Sequence, residues 1–306
     1  MTDGCSRRQI LKLAALAPAS IALSGLGVPA AAAATPTTLP DVVPSRKKGV
    51  GVARLASQGA YRVKSMNPAW YYTWAADGIA GVQEVEFVPM VWGGTNIQTQ
   101  IDDVAALGPG KRPLVLGPNE PDGAKQSNMT VDQVLSWWPA ISDLAALTVA
   151  PAPVNPFNAW FTEFVQKASA LGLRYDYVAV HNYPGPDAAG FLSTIDRVYE
   201  TYGLPVWITE FAVADWSATL PGTNRYSPQQ VLEFMMAVLP ELESRPHVAR
   251  YAWFGAGPSA ATSVKLGPSA LFDTSGTMTP LGTYYSQFGA PVATAQSAPV
   301  QAGGAG

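Results

Sequence analysis

Two glutamates stand where a carboxyl group can take part in acid–base chemistry. Glu120 follows the short apolar run 114–116 through a Gly-Pro break, and Glu210 ends the apolar run that begins at Leu204. They lie 90 residues apart, which is too far for local pairing but suits two strand ends that face one cleft. Cleavage of a glycosidic bond requires one carboxyl group to protonate the leaving oxygen and another to face the anomeric carbon. We therefore predict that Glu120 and Glu210 form a catalytic pair.

The segments around these glutamates alternate between strand-like and helix-like patterns. Short apolar runs predict strands at 49–55, 69–74, 84–92, 114–116, 148–151, 177–183, 205–210 and 250–254. Apolar residues at helical spacing predict helices at 130–146, 158–171 and 188–202, and a further helix that begins at Ser227 and Pro228. Thr130 and Gln133 have the spacing of a capping box. Eight strands alternating with helices favour an α/β fold, a single-domain (β/α)8 TIM barrel with both glutamates at its C-terminal mouth.

Residues near the other predicted strand ends indicate what surrounds the two glutamates. A glutamate at a strand end is by itself more often solvated or ion-paired, but here aromatic residues end the neighbouring strands. The predicted substrate-binding residues are Asn119, Trp92, His181, Tyr183, Trp253 and Trp216. For His181 a structural role is an open alternative, and Tyr183 and Trp216 could instead pack against the core.

The composition excludes several classes of function. After removal of a leader with one acidic and three basic residues, the net charge falls from −3 to −5, which argues against nucleic-acid binding. The one cysteine, Cys5, lies in that leader, so we expect neither disulfides nor thiol chemistry in the mature chain. Two histidines without clustered acids argue against a metal site, and we expect no cofactor. The 9 Trp and 12 Tyr, beside only 13% charged residues, suit a polysaccharide substrate whose sugar rings stack on aromatic planes.

The two ends of the chain differ in composition from its centre. Residues 1–34 combine paired arginines, an apolar run and a small-residue region, which predicts a twin-arginine secretory signal peptide. A membrane anchor is the alternative, but glycines and a proline break the run before it reaches about 20 residues. Residues 35–48 read as a Pro/Thr-rich linker, 49–290 as the catalytic domain and 291–306 as a low-complexity, disordered tail. We expect a secreted, extracellular monomer with no membrane contact after signal cleavage.

Four motifs in order make the chain resemble glycoside hydrolase family 128, endo-β-1,3-glucanases within the clan of retaining barrel glycosidases. The motifs occupy residues 116–122, 180–185, 206–211 and 250–254, and the resemblance extends over roughly residues 49–289. It implies that Glu120 is the acid/base and Glu210 the nucleophile. It also implies that Asn119 binds the sugar 2-hydroxyl and that the Trp253 ring forms the floor of the sugar-binding subsite at the cleavage point.

One position departs from this resemblance. The residue after the strand-six histidine is often aromatic in the family, whereas this chain has Asn182. The stacking platform, and with it the fine substrate preference, is therefore open. Two alternatives remain at this point: a hydrolase of the same clan that acts on β-1,4-glucan or mannan, and a non-catalytic glucan-binding cell-wall protein.

Overall fold

Strands and helices alternate along the catalytic part of the chain. A computed structural model describes residues 45–108, 110 and 113–289. The strands are β1 (Lys48–Gly51), β2 (Trp70–Tyr72), β3 (Glu86–Phe87), β4 (Leu114–Leu116), β5 (Leu147–Val149), β6 (Val178–Asn182), β7 (Val206–Phe211) and β8 (Val248–Trp253). The helices are α1 (Gly59–Lys64), α2 (Ile97–Ala106), α3 (Val131–Ser142), α4 (Ala159–Ala170), α5 (Ala188–Tyr202), α6 (Pro228–Ser244), α7 (Pro258–Thr262) and α8 (Pro280–Gln287), with a 3-10 turn at Gly267–Ser269.

All pairings between the named strands are parallel. Six strands form one sheet in the order β3-β2-β1-β8-β7-β6, and β4 pairs with β5. Isolated parallel bridges, Met90 to Leu116 and Val149 to Tyr177, join the β4–β5 pair to the segments that follow β3 and precede β6. The predicted α/β fold with a parallel sheet and alternating helices is confirmed. Its parallel strands point their carboxyl ends to one side, where the loops gather.

Two apolar layers hold the strands in place. One lies between the strands and the helices, and the other lies on the opposite face of the strands. Side chains alternate between these layers along a strand. In β8, Ala252 belongs to the layer on that opposite face, whereas its neighbours Tyr251 and Trp253 belong to the layer beside the helices. This alternation decides which aromatic residues can reach the mouth.

Local sequence signals set several helix boundaries. The predicted capping box is present, since the Thr130 hydroxyl accepts from the Gln133 N–H and the Gln133 side chain accepts from the Thr130 N–H. Helix α6 begins in the same way at Ser227, with Pro228 in its first turn. A strand was predicted at 84–92, but β3 covers only Glu86–Phe87. Pro89 has no N–H with which to continue the ladder of hydrogen bonds.

The predicted linker ends earlier than residue 48. Lys48 opens β1, and its buried ammonium donates to the carbonyl oxygens of Tyr285 at 2.8 Å and Phe288 at 2.5 Å, which ties the first strand to the end of α8. Ser45 also bonds into the fold, through its N–H to the Gly289 carbonyl. The predicted signal peptide 1–34, the rest of the linker and the tail 291–306 lie outside the described residues. Within the described residues, no helix is both long and apolar enough to cross a membrane.

Candidate active site

The loop after β4 presents Glu120 at the mouth. The Asn119 N–H donates to the Trp92 carbonyl at 3.0 Å, and the Glu120 N–H donates to the Ala152 carbonyl at 2.7 Å, so the segments after β3 and β5 hold this loop on both sides. Glu120 has a φ of 41°, in the left-handed region that costs a residue with a Cβ. Such strain persists where the surrounding structure fixes it and is frequent at functional sites. The hydrogen bonds therefore hold Glu120 in a conformation that it would not adopt freely.

Glu210 meets Glu120 across the mouth. It lies in β7 and pairs in register with His181 of β6, just after an irregularity between Val180 and His181 that re-aims the side chains. One carboxylate oxygen of each glutamate and a ring nitrogen of His181 all lie within 4.8 Å of one another. Two carboxyl groups at about 5–5.5 Å are typical of retaining glycosidases, whereas inverting enzymes hold them about 6.5–9.5 Å apart.

The imidazole of His181 lies between the two carboxylates. Its Nδ1 is 2.8 Å from Oε1 of Glu120 and 3.5 Å from Oε2 of Glu210. Burial lowers the pKa of His181, but the charge of Glu210 and the hydrogen bond and charge of Glu120 outweigh it and raise the pKa above 6.5. Its other ring nitrogen, Nε2, is buried and has no hydrogen-bond partner among the described residues. His181 can therefore share a proton with Glu120 and reduce the repulsion between the carboxylates.

Both oxygens of Glu210 accept a hydrogen bond. Nε1 of Trp74 donates to Oε1 at 2.7 Å, and the hydroxyl of Tyr183 donates to Oε2. Burial, together with the negative charge of Glu210, raises the pKa values of Tyr183 and Tyr72 well above 10, so both phenols stay protonated. Donors that face a carboxylate stabilise its charged form. Two donors thus hold the Glu210 carboxyl group in one orientation, which suits a nucleophile.

Three adjoining cavities form one cleft along the mouth. The central cavity, about 390 Å³, is lined by both glutamates. A cavity of about 410 Å³ lies towards the loop after β3, and we call it the β3-side cavity. A cavity of about 640 Å³ lies towards the loops after β5 and β6, and we call it the β6-side cavity. Trp92 lines both the central and the β3-side cavity, and Trp216 lines both the central and the β6-side cavity. Gln126 lines all three cavities.

Comparison with known proteins places this cleft in a family. Residues 50–285 match the model of the family described as glycosyl hydrolase catalytic core. One similar protein is a family 128 subgroup I endo-β-1,3-glucanase from Amycolatopsis mediterranei, whose crystal structure was solved in complex with laminarihexaose. Its sequence is 30% identical to that of this chain. The similarity covers 79% of this chain and 99% of that one, with a TM-score of 0.68. This chain belongs to glycoside hydrolase family 128. The resemblance that the four motifs carried is confirmed.

Other relatives of this family 128 hydrolase differ in their described action. An exo-β-1,3-glucanase of subgroup V from Cryptococcus neoformans is 26% identical, covers 79% of this chain and 99% of its own, and has a TM-score of 0.65. The alkali-sensitive linkage protein 1 of Schizosaccharomyces pombe is 27% identical over 224 residues, which is 71% of this chain. This chain spans only 39% of that relative's length. The family thus contains both endo- and exo-acting enzymes.

The structure brings five of the six predicted substrate-binding residues to the cleft. They are Trp92, Asn119, His181, Tyr183 and Trp216. Asn119 is buried, and its Oδ1 has no hydrogen-bond partner within the described part of the chain. Trp216 is 59% exposed, and its Nε1 donates to the Tyr183 carbonyl at 3.0 Å. Lys265 lies 5.1 Å from the centre of its ring, so this indole is held in place although it is exposed.

The prediction for Trp253 is wrong. Its side chain is fully buried in the layer between strands and helices, where its ring lies 5.0 Å from that of Phe211 and its Nε1 donates to the Ser269 carbonyl at 2.9 Å. The reason is the alternation along β8, which turns Trp253 away from the mouth. The next residue, Phe254, lines the central cavity instead, with its ring 5.8 Å from that of Trp74.

Sequence reasoning also missed other residues of the cleft, among them Trp74, Gln126 and Phe254. Trp74 ends the aromatic run 69–74. Aromatic residues at other predicted strand ends were selected as substrate-binding residues, and the same criterion would have selected Trp74. Phe254 directly follows Trp253, the residue that was predicted to bind substrate at the end of this strand. Nothing in the local pattern singles out Gln126, an exposed residue of a loop. Only the folding of that loop brings Gln126 to the junction of the three cavities.

Proposed function

We propose that this family 128 hydrolase cleaves β-1,3-glucan with retention of anomeric configuration, by double displacement. The observation that carries the proposal is the spacing of Glu120 and Glu210, whose oxygens lie within 4.8 Å of each other. That distance leaves no room for the water that an inverting enzyme activates between its carboxylates.

The surroundings of the two glutamates support different roles for them. Glu210, held by Trp74 and Tyr183, attacks the anomeric carbon and forms a glycosyl ester. Glu120, bonded to His181, donates its proton to the leaving oxygen and in the second step takes a proton from water. Asn119 offers its amide to the sugar bound in the central cavity.

The shape of the cleft supports internal cleavage. Cavities adjoin the central one on both sides, so sugar units can bind on either side of the scissile bond. Their linings combine neutral polar groups with the rings of Trp92, Trp137 and Trp216, which suits an uncharged polysaccharide. The laminarihexaose in the Amycolatopsis enzyme supports β-1,3-glucan as the substrate.

We also propose that the enzyme is exported and acts outside the cell. The support is the pattern of residues 1–34, with paired arginines before an apolar run. Its substrate would then be a polysaccharide of a cell wall or of the medium.

Release of reducing sugar from soluble β-1,3-glucan, beside cellulose and mannan, tests the proposal. Proton NMR of the first products reads the stereochemistry, and the size distribution of early products separates internal from terminal cleavage. We expect β-anomeric products of mixed length from β-1,3-glucan alone. Release from cellulose or mannan alone would identify a different hydrolase, and binding without any release would identify a glucan-binding wall protein. An α-anomeric first product would exclude the glycosyl-enzyme.

A further inference from the structure

The loop that joins β7 to α6 carries Trp216 into the cleft. It runs over residues 212–227 without a helix or strand of its own. Loops longer than about 12–15 residues are uncommon in compact domains, and ordering one costs conformational entropy, so specific contacts must hold its shape. We propose that Asp215 is a positioning residue that fixes the Trp216 ring as a wall of the substrate cleft. This inference rests on the proposed function, because it concerns how the same cleft binds glucan.

The buried carboxylate of Asp215 joins the two halves of this loop. Its Oδ1 accepts from the Ser217 hydroxyl at 2.6 Å and from the Ser217 N–H at 3.0 Å. Its Oδ2 accepts from the Arg225 N–H at 2.8 Å, and Nε of Arg225 donates to Oδ1 at 3.2 Å. The hydrogen bonds from Ser217 and Arg225 hold the pKa of Asp215 well below its usual range, so the carboxylate is ionised near neutral pH. One side chain thus closes the loop around Trp216.

The closed loop is also tied to the loop that follows β8. The Asp215 N–H donates to the Lys265 carbonyl at 3.0 Å. The Asn224 amide donates to the carbonyl oxygens of Val264 at 3.1 Å and Lys265 at 2.9 Å. The Lys265 ammonium lies 5.1 Å from the centre of the Trp216 ring. The backbone at both ends of the loop is therefore fixed against a second loop.

The contacts of the Trp216 side chain alone are few. It is 59% exposed, its Nε1 donates to the Tyr183 carbonyl at 3.0 Å, and its ring meets the Tyr183 ring edge-on at 6.1 Å. A ring that is ordered before the sugar arrives binds it more tightly than a mobile one, because binding then orders fewer groups. Asp215 lines none of the three cavities, so we expect it to affect the substrate through Trp216.

Asp215→Asn tests this role. The variant keeps the shape of the side chain but replaces an acceptor oxygen by an amide NH2, which cannot accept from Ser217 or Arg225. Steady-state kinetics of the full mature chain on soluble β-1,3-glucan measure the effect. We expect KM to rise about five- to 100-fold, as weakened aromatic stacking implies. We expect kcat to change little, because the donors to Glu210 stay in place and only substrate binding is lost.

Asp273→Asn is the matched control. Asp273 accepts from the Ser275 N–H at 2.9 Å and from the Ser275 hydroxyl at 2.6 Å, as Asp215 does from Ser217, but its turn lines none of the three cavities. Its KM should equal that of the wild type. A double-mutant cycle with Trp216→Ala then separates a positioning role from general loss of structure. Asp215→Asn should add nothing to the KM of Trp216→Ala, whereas independent effects would multiply.

Thermal unfolding shows which variants are folded, and Arg225→Gln serves as a milder second variant. The Arg225 side chain is 62% exposed, and its replacement removes the guanidinium donors but keeps the backbone N–H on Asp215. We expect a smaller rise in KM in the same direction.

The possible failures are distinguishable. A wild-type KM in both Asp215→Asn and Arg225→Gln would overturn the positioning role, and so would effects of Asp215→Asn and Trp216→Ala that multiply. A wild-type KM in Trp216→Ala would overturn the assignment of its ring as a wall of the cleft. Absence of β-1,3-glucan hydrolysis by the wild-type chain would instead remove the proposed function itself.

Discussion

The indole of Trp74 donates a hydrogen bond of 2.7 Å to Oε1 of Glu210, although 136 residues separate them. Trp74 follows β2 with a φ of 58°, and its ring packs against those of Tyr72 at 4.7 Å and Phe254 at 5.8 Å. The hydroxyl of Tyr183 occupies the other carboxylate oxygen. Glu210 therefore has a fixed orientation before any substrate binds, and Trp74 is one of the two donors that fix it.

Trp74→Phe should lower kcat about 10- to 100-fold, because it removes a hydrogen bond to a charged group and keeps the ring packing. Trp160→Phe is the matched control, since the Nε1 of Trp160 donates to the Met129 carbonyl outside the catalytic pair. Steady-state rates on soluble β-1,3-glucan and thermal unfolding of both variants give the comparison. Equal kcat in the two variants would contradict the role of the indole N–H.

Replacement of each glutamate should impair a different step of the reaction. Glu120→Ala should cost roughly 10²–10⁴ in rate on natural glucan, whose leaving oxygen needs a proton. On an aryl glycoside with a good leaving group, the same variant should form the glycosyl-enzyme rapidly and then stall. Glu210→Gly should abolish attack on both substrates. Burst kinetics on the aryl glycoside separate the two cases, and reversed phenotypes would exchange the roles.

His181→Gln should change the dependence of stability on pH. The pKa of His181 in the folded chain is raised above 6.5, so its contribution to stability is fully present below pH 6.5 and is lost as the pH rises through the folded pKa. The free energy of unfolding of the variant should therefore fall furthest below the wild-type value at low pH, and the gap should narrow above pH 6.5. Denaturant titrations over a pH series measure it. A gap that is constant or widens with pH would show that the carboxylates do not hold His181 protonated.

Trp253 and Phe254, adjacent in sequence, should respond in opposite ways. Trp253→Ala empties a fully buried site and should lower the free energy of unfolding by about 3–5 kcal/mol. Phe254→Ala removes a ring from the central cavity and should weaken glucan binding by about 1–3 kcal/mol, the usual range for aromatic stacking. Denaturant unfolding and KM are measured for both. If Trp253→Ala retains wild-type stability, its assignment to the core is wrong.

Arg7 and Arg8 should determine export. Replacement of both by lysine should trap the precursor inside the cell, because the twin-arginine signature is lost while the charge is kept. Immunoblots of cells and medium measure the distribution, with Lys12→Arg as a control that leaves the arginine pair intact. Undiminished mature enzyme in the medium of the double variant would contradict this route.

The alternation of strands and helices along the chain and the catalytic pair were open to prediction because they depend on local patterns. A strand buried on both faces must be a short apolar run, and the first polar residue after it must lie at the end of the sheet. Asn119 and Thr209 are the first polar residues after the two apolar runs, and Glu120 and Glu210 come directly after them. Capping residues set the starts of α3 and α6 in the same local way.

Which face of a strand a residue occupies was decided by tertiary structure. Trp253 and Phe254 are neighbouring aromatic residues, and only the register of β8 against β7 and β1 sends one to the core and the other to the cleft. A shift of one residue would exchange them, because side chains alternate with a period of two. The sequence by itself determined that two carboxylates face one mouth. Trp74 and His181 contact Glu210 and Glu120 across separations of 136 and 61 residues, so only the packed fold decided these contacts.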